Sequence, residues 1–282
     1  MKPFVSAEEL GALAGAIVCD VRWGPTTGPD RAAFDAGHLP GARFVDLDRD
    51  LSGPASAEAG RHPLPDPDHF AAAMSRLGIG DGATVVAYDG TGGVIAARLV
   101  WMLRALGERA ALLDGGIAAW QAAGGQLAQT EEGRRTTVVP APAQFTPRAW
   151  PPDRIASIDD ASGAREAGVT LVDARPGPRY RGESPHSPLD PRPGHIPGAR
   201  SLPVIENVDS EGRLLGLRQL AQRFYDAGAG EPNFISSCGS GVTACHNLLV
   251  AEHIGLGKGR LYPGSWSQYA ADPDRPATLG SE

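Results

Sequence analysis

Cys238 is the residue whose type and setting suit it best for chemistry. It follows the apolar run NFISS and precedes Gly239, Ser240 and Gly241, after which a helical pattern begins. The two glycines allow backbone amides to turn inward around the sulfur, and the start of a helix adds about half a positive charge. Both effects stabilise a thiolate, which is the nucleophilic form of cysteine. The loop therefore predicts nucleophilic catalysis at Cys238.

The other two cysteines have settings typical of core residues. Cys19 lies inside an apolar run and Cys245 lies within the helical pattern after the loop. A small buried residue at a strand end remains the alternative interpretation of Cys238, because most free cysteines are buried. Cys238, Cys245, His246 and His253 follow no common zinc-ligand spacing, and GTGG and GLGKG do not match nucleotide-binding loops. We therefore expect no metal and no cofactor.

Composition and charge exclude several classes of partner. The chain has 282 residues, 26 basic and 33 acidic side chains, a net charge of −7 and a pI near 5.5. Nucleic acids and anionic membranes bind basic faces, so neither is expected as a partner. No apolar run approaches the ~18 residues that a membrane span needs. Three cysteines are a sparse and odd set that is typical of reduced thiols, which favours a cytoplasmic location.

Short apolar runs and helical patterns alternate along the chain. The runs that predict buried parallel strands are AIVCDV, ATVVAYD, AALLDG, TLVDAR and NFISSC. Helical patterns cover Ala96–Ala105, Leu217–Ala227 and Val242–His253. The alternation predicts an α/β fold, with open parallel sheets covered by helices on both faces. Chemistry in such sheets is expected at the carboxyl ends of the strands, where Cys238 lies.

The second half of the chain repeats the first. VCDVRW is echoed by LVDARP, GHLPGA by GHIPGA, YDGTGGVIAARLV by SCGSGVTACHNLL and LLDGGIAAW by RLYPGSWSQY, in the same order and about 150 residues apart. Such ordered recurrence indicates a duplicated domain, and the proline-rich stretch between the copies predicts an extended linker. We predict a first domain over residues 1–127, a linker over 128–152 and a second domain over 153–282.

These motifs together resemble one known family. The tandem copies, GHLPGA and GHIPGA, the LLDGG…W block and CGSGVT are similar to those of the two-domain rhodanese-like sulfurtransferases, particularly the 3-mercaptopyruvate branch, over nearly the whole chain. The resemblance implies two tandem rhodanese-like domains, of which the second is catalytic. The first lacks the active cysteine, since Asp89 occupies the position that matches Cys238.

The resemblance also implies a reaction. Cys238 would take the outer sulfur from a small-molecule donor, form a persulfide and pass the sulfur to cyanide or a thiol. The thiol acceptor would be a low-molecular-weight thiol or a thioredoxin-like protein. Gly239 and Ser240 follow the cysteine, which is similar to the mercaptopyruvate-using members, whereas thiosulfate-using members tend to have basic residues there. The expected donor is therefore 3-mercaptopyruvate and the expected product is pyruvate.

The resemblance supplies three partners for the sulfur. Ser240 would pass a proton to the departing carbon, and the positions that match the family's His and Asp are His62 in RHPLP and Asp48 in FVDLD. Asp48 would orient His62, and His62 would polarise Ser240, across a cleft between the domains. Without the resemblance, Asp48 would be interpreted as a solvated or helix-capping carboxylate and His62 as a loop histidine.

Binding of the substrate carboxylate requires a cation, for which arginine has the best geometry. Arg179 in DARPGPRYRGE falls on the family's substrate-binding arginine, whereas the position of its second arginine is Pro188 here. Arg192, from the same loop, is the candidate replacement. The loop residues expected to contact the donor are Gly239, Gly241, Val242 and Thr243.

Some motif residues recur in both copies and are interpreted as architectural. Asp173, Arg175, His195 and Arg200 have the counterparts Asp20, Arg22, His38 and Arg43 in the copy without a cysteine. Other functions remain to be weighed. A cysteine phosphatase needs a phosphate-binding arginine where this chain has Ala244. A thiosulfate sulfurtransferase is the nearest alternative, followed by a non-catalytic rhodanese-like binding module.

Overall fold

The chain forms two compact units. The computed structural model describes residues 1–130, 143–184 and 189–281. The first unit comprises Met1–Ser52, Pro65–Trp150 and Val208–Leu214. The second unit comprises Gly53–Leu64, Pro151–Asn207 and Leu215–Glu282. Each unit therefore includes one short segment that lies outside its main stretch of sequence. The domain boundaries at residues 127 and 153 stay a prediction.

The first unit is built on a five-stranded sheet. Its strands are β1 (Phe4–Val5), β2 (Ile17–Asp20), β5 (Arg43–Phe44), β6 (Thr84–Tyr88) and β7 (Arg109–Leu113), in the order β1-β7-β6-β2-β5 and all parallel. β3 (Trp23–Gly24) and β4 (Gly28–Pro29) form a small antiparallel pair that the sequence did not predict. The helices are α1 (Ala7–Ala12), α2 (Arg31–Ala36), α3 (Leu47–Asp50), α4 (Pro67–Arg76), α5 (Ala97–Ala105) and α6 (Gly116–Ala122).

The second unit is built on a four-stranded parallel sheet. Its strands are β8 (Thr170–Asp173), β9 (Arg200–Ser201), β10 (Phe234–Ser237) and β11 (Arg260–Leu261), in the order β11-β10-β8-β9. The helices are α7 (Ile158–Ser162), α8 (Gly177–Arg181), α9 (Leu217–Asp226), α10 (Ala244–His253) and α11 (Ser265–Tyr269). Short 3₁₀ turns cover Pro152–Arg154 and Val204–Asn207.

β10 and α10 carry the cysteine loop and lie deep in the second unit. β10 is buried along its whole length, because β8 and β11 flank it on both sides. Every residue of α10 from Ala244 to Ala251 is buried, and most of them are apolar; the buried exceptions are His246 and Asn247. The loop that joins two buried elements is held by the core rather than by solvent-exposed contacts.

The predicted α/β architecture is confirmed. All five apolar runs are strands of parallel sheets, and the three helical patterns correspond to α5, α9 and α10 with ends within two residues of those predicted. Over the described ranges, no helix has both the length and the apolar character needed to cross a bilayer.

The Asp–Arg–His motifs perform the same architectural task in each unit. Arg22 pairs with Asp20 and donates to the Gly37 carbonyl at 2.6 Å, and the other unit repeats this with Arg175, Asp173 and the Gly194 carbonyl at 2.8 Å. The histidines, His38 and His195, stack on Phe34 and Tyr180 and contact their backbone carbonyls. These repeated contacts support the architectural interpretation of the Asp, Arg and His residues. Arg200 and Arg43 differ, since Arg200 is exposed and Arg43 bonds the Leu77 carbonyl.

Part of the predicted linker packs on the first unit. Residues 143–150 form no helix or strand, but Phe145 and Trp150 both contact the Phe70 ring of α4. The Trp150 indole also donates to the Pro65 carbonyl at 2.8 Å. Residues 131–142 of the predicted linker lie outside the described residues.

Candidate active site

The cysteine loop is bound to the amino end of α11. The Cys238 carbonyl accepts from the Trp266 amide at 3.0 Å, and the Gly239 carbonyl accepts from the Ser267 amide at 2.8 Å. The Cys238 amide donates to the Ser265 hydroxyl at 3.0 Å. These three bonds hold the loop in one conformation, so the position of the sulfur is set by the backbone of a second element.

The sulfur is buried and contacts one loop amide. Cys238 is 2% exposed, and the Gly241 amide donates to its Sγ at 3.1 Å. Gly241 has φ +76°, and a β-carbon there would lie 2.3 Å from the Pro263 carbonyl oxygen, so this turn requires glycine. The sequence predicted a ring of amides around the sulfur. Within the described part of the chain, the amides of Val242 and Thr243 make no hydrogen bond to Sγ.

Ser240 of the cysteine loop contacts His62. The Ser240 hydroxyl lies 2.8 Å from Nδ1 of His62, and both residues are buried, at 6% and 5% exposed. Residues 53–64, which include His62, belong to the same compact unit as the cysteine loop. The segment is closed by a bond from the Gly53 amide to the Pro63 carbonyl at 3.0 Å. A short buried contact between a hydroxyl and an imidazole is an arrangement suited to proton transfer.

Asp48 lies in α3 of the first unit. Its carboxylate accepts from the Trp23 indole at 3.2 Å, and its amide donates to the Asp46 carboxylate at 3.0 Å. Asp46 is the N-cap of this short helix, so Asp48 is one of the first-turn acidic residues. The predicted action of Asp48 on His62 stays a prediction.

Two arginines flank Gly239, the residue after the nucleophile candidate. A β-carbon built on Gly239 would lie 3.1 Å from Nη2 of Arg179 and 3.3 Å from Nη2 of Arg61. Arg179 makes a two-pronged ion pair with Asp190, at 2.8 Å from Nε and 2.6 Å from Nη2. The predicted role of Arg179 in substrate binding stays a prediction.

Arg192 is engaged elsewhere in the second unit. Its Nη2 donates to the carbonyls of Asp272 at 3.1 Å and Arg275 at 2.7 Å, and its guanidinium lies 5.7 Å from the centre of a Trp266 ring. Its predicted role in substrate binding stays a prediction. Pro188, the position of the family's second arginine, lies outside the described residues.

A family model identifies the chain. The model of the rhodanese-like domain matches residues 6–123 and again residues 157–272. The chain belongs to the rhodanese-like family. The predicted tandem of rhodanese-like domains is confirmed.

Individual relatives cover most of this rhodanese-like chain. A Pseudomonas aeruginosa protein with a provisional name as a 3-mercaptopyruvate sulfurtransferase is 44% identical over 88% of this chain and 86% of its own length. A Mycobacterium tuberculosis protein with a provisional name as a thiosulfate sulfurtransferase is 36% identical over 98% of this chain and 97% of its own. The solved 3-mercaptopyruvate sulfurtransferase from Leishmania major is 29% identical, with a TM-score of 0.85 over 98% of this chain and 75% of its own.

Arg61 is the part of this rhodanese-like site that the sequence did not predict. Its Nη1 donates to the Leu189 carbonyl, and its backbone amide donates to the Ser267 hydroxyl at 3.0 Å. Burial and the charge of Arg179 lower the pKa of Arg61, while Cys238 and a nearby carboxylate oppose the shift. The sequence did hold one signal for Arg61, its position directly before His62 in RHPLP. Two residues that are adjacent in the chain can reach adjacent residues of the cysteine loop.

A cavity adjoins the site on the Arg61 side. It has a volume of about 430 Å³, and Arg61, Asp190 and Ser267 are among its lining residues, whereas Cys238 is not. Among residues 1–130, 143–184 and 189–281, no group of three His, Cys, Asp or Glu side chains is placed to hold a metal ion.

Proposed function

We propose that this protein is a sulfurtransferase that moves sulfur from 3-mercaptopyruvate through a persulfide on Cys238 to a thiol or cyanide acceptor, with release of pyruvate. The observation that carries the proposal is the convergence on one loop of a sulfur, a Ser–His pair and two guanidiniums. The provisional name of the Pseudomonas aeruginosa relative points to the same donor.

The first step is attack of the Cys238 thiolate on the donor sulfur. The new S–S bond forms as the C–S bond of the donor breaks, and the electron pair of that bond remains on carbon as the pyruvate enolate. Protonation of that carbon by the proton of the donor thiol leaves Cys238 as a persulfide anion and releases pyruvate. Atoms and charge balance without any oxidant. The Gly241 amide, 3.1 Å from Sγ, stabilises negative charge on the cysteine sulfur.

Ser240 and His62 are proposed to carry that proton. The hydroxyl accepts a proton from the donor side and returns it to the departing carbon, and Nδ1 of His62 at 2.8 Å holds the hydroxyl in place. Asp48 is proposed to orient His62, as the family resemblance implies. Because both Ser240 and His62 are buried, bulk water does not compete for the proton.

The guanidinium of Arg179 is proposed to bind the donor carboxylate. Its planar fork matches a carboxylate, and its Nη2 lies close to Gly239. Arg192 is the second residue that the sequence proposed for this task. The main chain of Gly239, Gly241, Val242 and Thr243 is proposed to surround the transferred sulfur.

The second step returns the enzyme to its thiolate. An acceptor thiolate attacks the outer sulfur of the persulfide, the S–S bond breaks, and Cys238 leaves as a thiolate while the acceptor becomes a persulfide. A small thiol or a thioredoxin-like protein is the proposed acceptor. A cytoplasmic location, which would supply such thiols, stays a prediction.

Thiosulfate is a second candidate donor. A second arginine beside Gly239 supplies charge for a dianion, although the residues that follow Cys238 in sequence are not basic. The Mycobacterium tuberculosis relative has thiosulfate in its provisional name. The two donors are distinguished by their leaving groups, pyruvate and sulfite.

The deciding experiment compares the two donors on the same protein. We expect wild-type protein to release pyruvate from 3-mercaptopyruvate with a much larger kcat/KM than it releases sulfite from thiosulfate, and the Cys238→Ser variant to release neither. A kcat/KM for thiosulfate that equals or exceeds that for 3-mercaptopyruvate contradicts 3-mercaptopyruvate as the preferred donor. Undiminished turnover by the Cys238→Ser variant contradicts the assignment of Cys238 as the nucleophile. Inactivity of the wild-type protein with both donors favours a non-catalytic binding module.

A further inference from the structure

We propose that Arg61 is a second carboxylate-binding residue for the sulfur donor, acting together with Arg179 beside Gly239. The inference rests on the proposed function and extends it to a residue that determines donor specificity. It follows from the geometry at Gly239, where Nη2 of Arg61 and Nη2 of Arg179 lie 3.3 and 3.1 Å from one common point.

The charge balance around the loop distinguishes Arg61 from its neighbours. Arg175 is paired with Asp173, and Arg179 is paired with Asp190 by two hydrogen bonds. Among the described residues, the side chain of Arg61 has the Leu189 carbonyl as its hydrogen-bond acceptor and no carboxylate within ion-pair distance. Arg61 therefore carries a positive charge with which no carboxylate of the described residues forms an ion pair. This charge stabilises an anionic donor that binds next to the sulfur.

The guanidinium of Arg61 also has an unused donor. Its Nε is buried and makes no hydrogen bond within the described part of the chain. Buried polar groups in folded proteins are nearly always hydrogen-bonded, and an exception at a site calls for an explanation. A donor carboxylate bound beside Gly239 gives the Arg61 guanidinium the anionic partner that Arg179 already has in Asp190.

The backbone positions Arg61 independently of its side chain. Its amide donates to the Ser267 hydroxyl at 3.0 Å, and the next residue, His62, contacts Ser240. Two consecutive side chains thus reach two consecutive loop residues, Gly239 and Ser240. One dipeptide places a positive charge for the carboxylate beside the Ser–His pair for the proton.

The test is a steady-state comparison with a matched control. We expect Arg61→Gln to raise the KM for 3-mercaptopyruvate about 10- to 100-fold while kcat changes less than about threefold, because a charge-assisted hydrogen bond to the donor carboxylate is lost equally in the ground and transition states. Arg61→Lys, which keeps the charge, should lie between. The control, Arg181→Gln, removes an exposed guanidinium that pairs with Glu183 and should leave both constants unchanged.

The methyl ester of 3-mercaptopyruvate identifies the group that is recognised. Wild-type protein should prefer the acid to the ester, and Arg61→Gln should reduce that preference at least about 10-fold. An unchanged KM and an unchanged acid-to-ester ratio in Arg61→Gln overturn the inference while the proposed function stands. If Arg61→Gln does not fold, the same ratio is read from Arg61→Lys, where an unchanged preference likewise overturns it. No pyruvate release by wild-type protein contradicts the proposed function itself.

Discussion

The same loop occurs twice in this molecule and surrounds a different side chain each time, an aspartate in the first unit and a cysteine in the second. In the first unit the Asp89 carboxylate is 1% exposed and accepts four backbone amides: Thr91 at 2.7 Å, Gly93 at 2.9 Å, Ile95 at 2.8 Å and Ala96 at 2.9 Å. In the second unit the matching residue is Cys238, whose sulfur accepts the Gly241 amide at 3.1 Å.

The comparison shows that the turn directs backbone amides at the side chain that begins it, in the loop with the cysteine and in the loop without it. Gly92 and Gly241 occupy matching positions and have φ +74° and +76°, so both loops reverse direction in the same way. In the first unit the carboxyl oxygens in that turn are already occupied by backbone amides. A sulfur in the same turn can form and break covalent bonds, so only the second loop is suited to group transfer.

The largest expected effect comes from removing the sulfur of the second loop and placing one in the first. Cys238→Ser should lower pyruvate release by about a thousandfold or more, since the nucleophile is lost. Adding Asp89→Cys to this variant should restore nothing, because the Ser240–His62 pair and the flanking arginines contact the other loop. Pyruvate assays and mass spectrometry of the persulfide measure both. Recovered turnover in the double variant would show that the turn alone makes the site.

Alkylation sharpens the contrast between strand and loop cysteines. Burial raises the pKa of Cys19 to about 12, so at about pH 8 only roughly one molecule in 10⁴ carries its thiolate. We expect iodoacetamide to label Cys238 at least about 100-fold faster than Cys19 in the native protein, and all 3 cysteines in denaturant. Peptide mass spectrometry locates the label. Equal rates at the two residues would contradict an activated Cys238.

The two turn glycines should differ in how much alanine destabilises them. At Gly241 the new β-carbon would lie 2.3 Å from the Pro263 carbonyl oxygen, whereas at Gly92 it would lie 3.2 Å from the Gly212 carbonyl oxygen. Both substitutions strain a left-handed residue, but only the first adds a severe clash. We expect losses in the free energy of unfolding of about 2–4 kcal/mol for Gly241→Ala and about 1–2 kcal/mol for Gly92→Ala. Urea denaturation tests the order, and a reversed order would contradict it.

The helix caps should show the smallest difference between the units. Ser6 caps α1 with Glu9, and Ser157 caps α7 with Asp160, each in a capping box. Ser6→Ala and Ser157→Ala should each lower the free energy of unfolding by about 0.5–1 kcal/mol. A loss above about 2 kcal/mol in only one unit would show that the caps are not equivalent.

The pH dependence of the Ser157 cap has a defined sign. Hydrogen bonds from the Ser157 amide, and then from its hydroxyl, lower the pKa of Asp160, so the folded state binds this proton less readily than the unfolded state. The stabilisation is therefore present above the ordinary aspartate pKa of about 4 and is lost as the pH falls through the folded value. The cost of Ser157→Ala should shrink below about pH 4 in denaturation curves. A cost independent of pH would contradict this coupling.

Much of the fold was predictable because its signals are local. The runs ATVVAYD and NFISSC predicted β6 and β10, since buried parallel strands are continuous apolar runs. The antiparallel pair β3–β4 was missed, because each strand has 2 residues and no such pattern. The candidate site shows the same contrast between local and distant signals. Cys238 was evident from the residues of its own loop, whereas Arg61 was not, because it is part of the site only through its closeness to Gly239, which is far away in the sequence.

The sequence by itself determined the duplication, five of the strands, three of the helices and the loop that presents Cys238, because each is visible in the pattern of residues within short segments of the chain. Only the tertiary structure decided that residues 53–64 join the second unit, where His62 contacts a serine 178 positions away and Arg61 flanks Gly239. It also decided that Arg192 bonds the carbonyls of Asp272 and Arg275. Side-chain convergence over such separations depends on the path and packing of the whole unit, which no local pattern encodes.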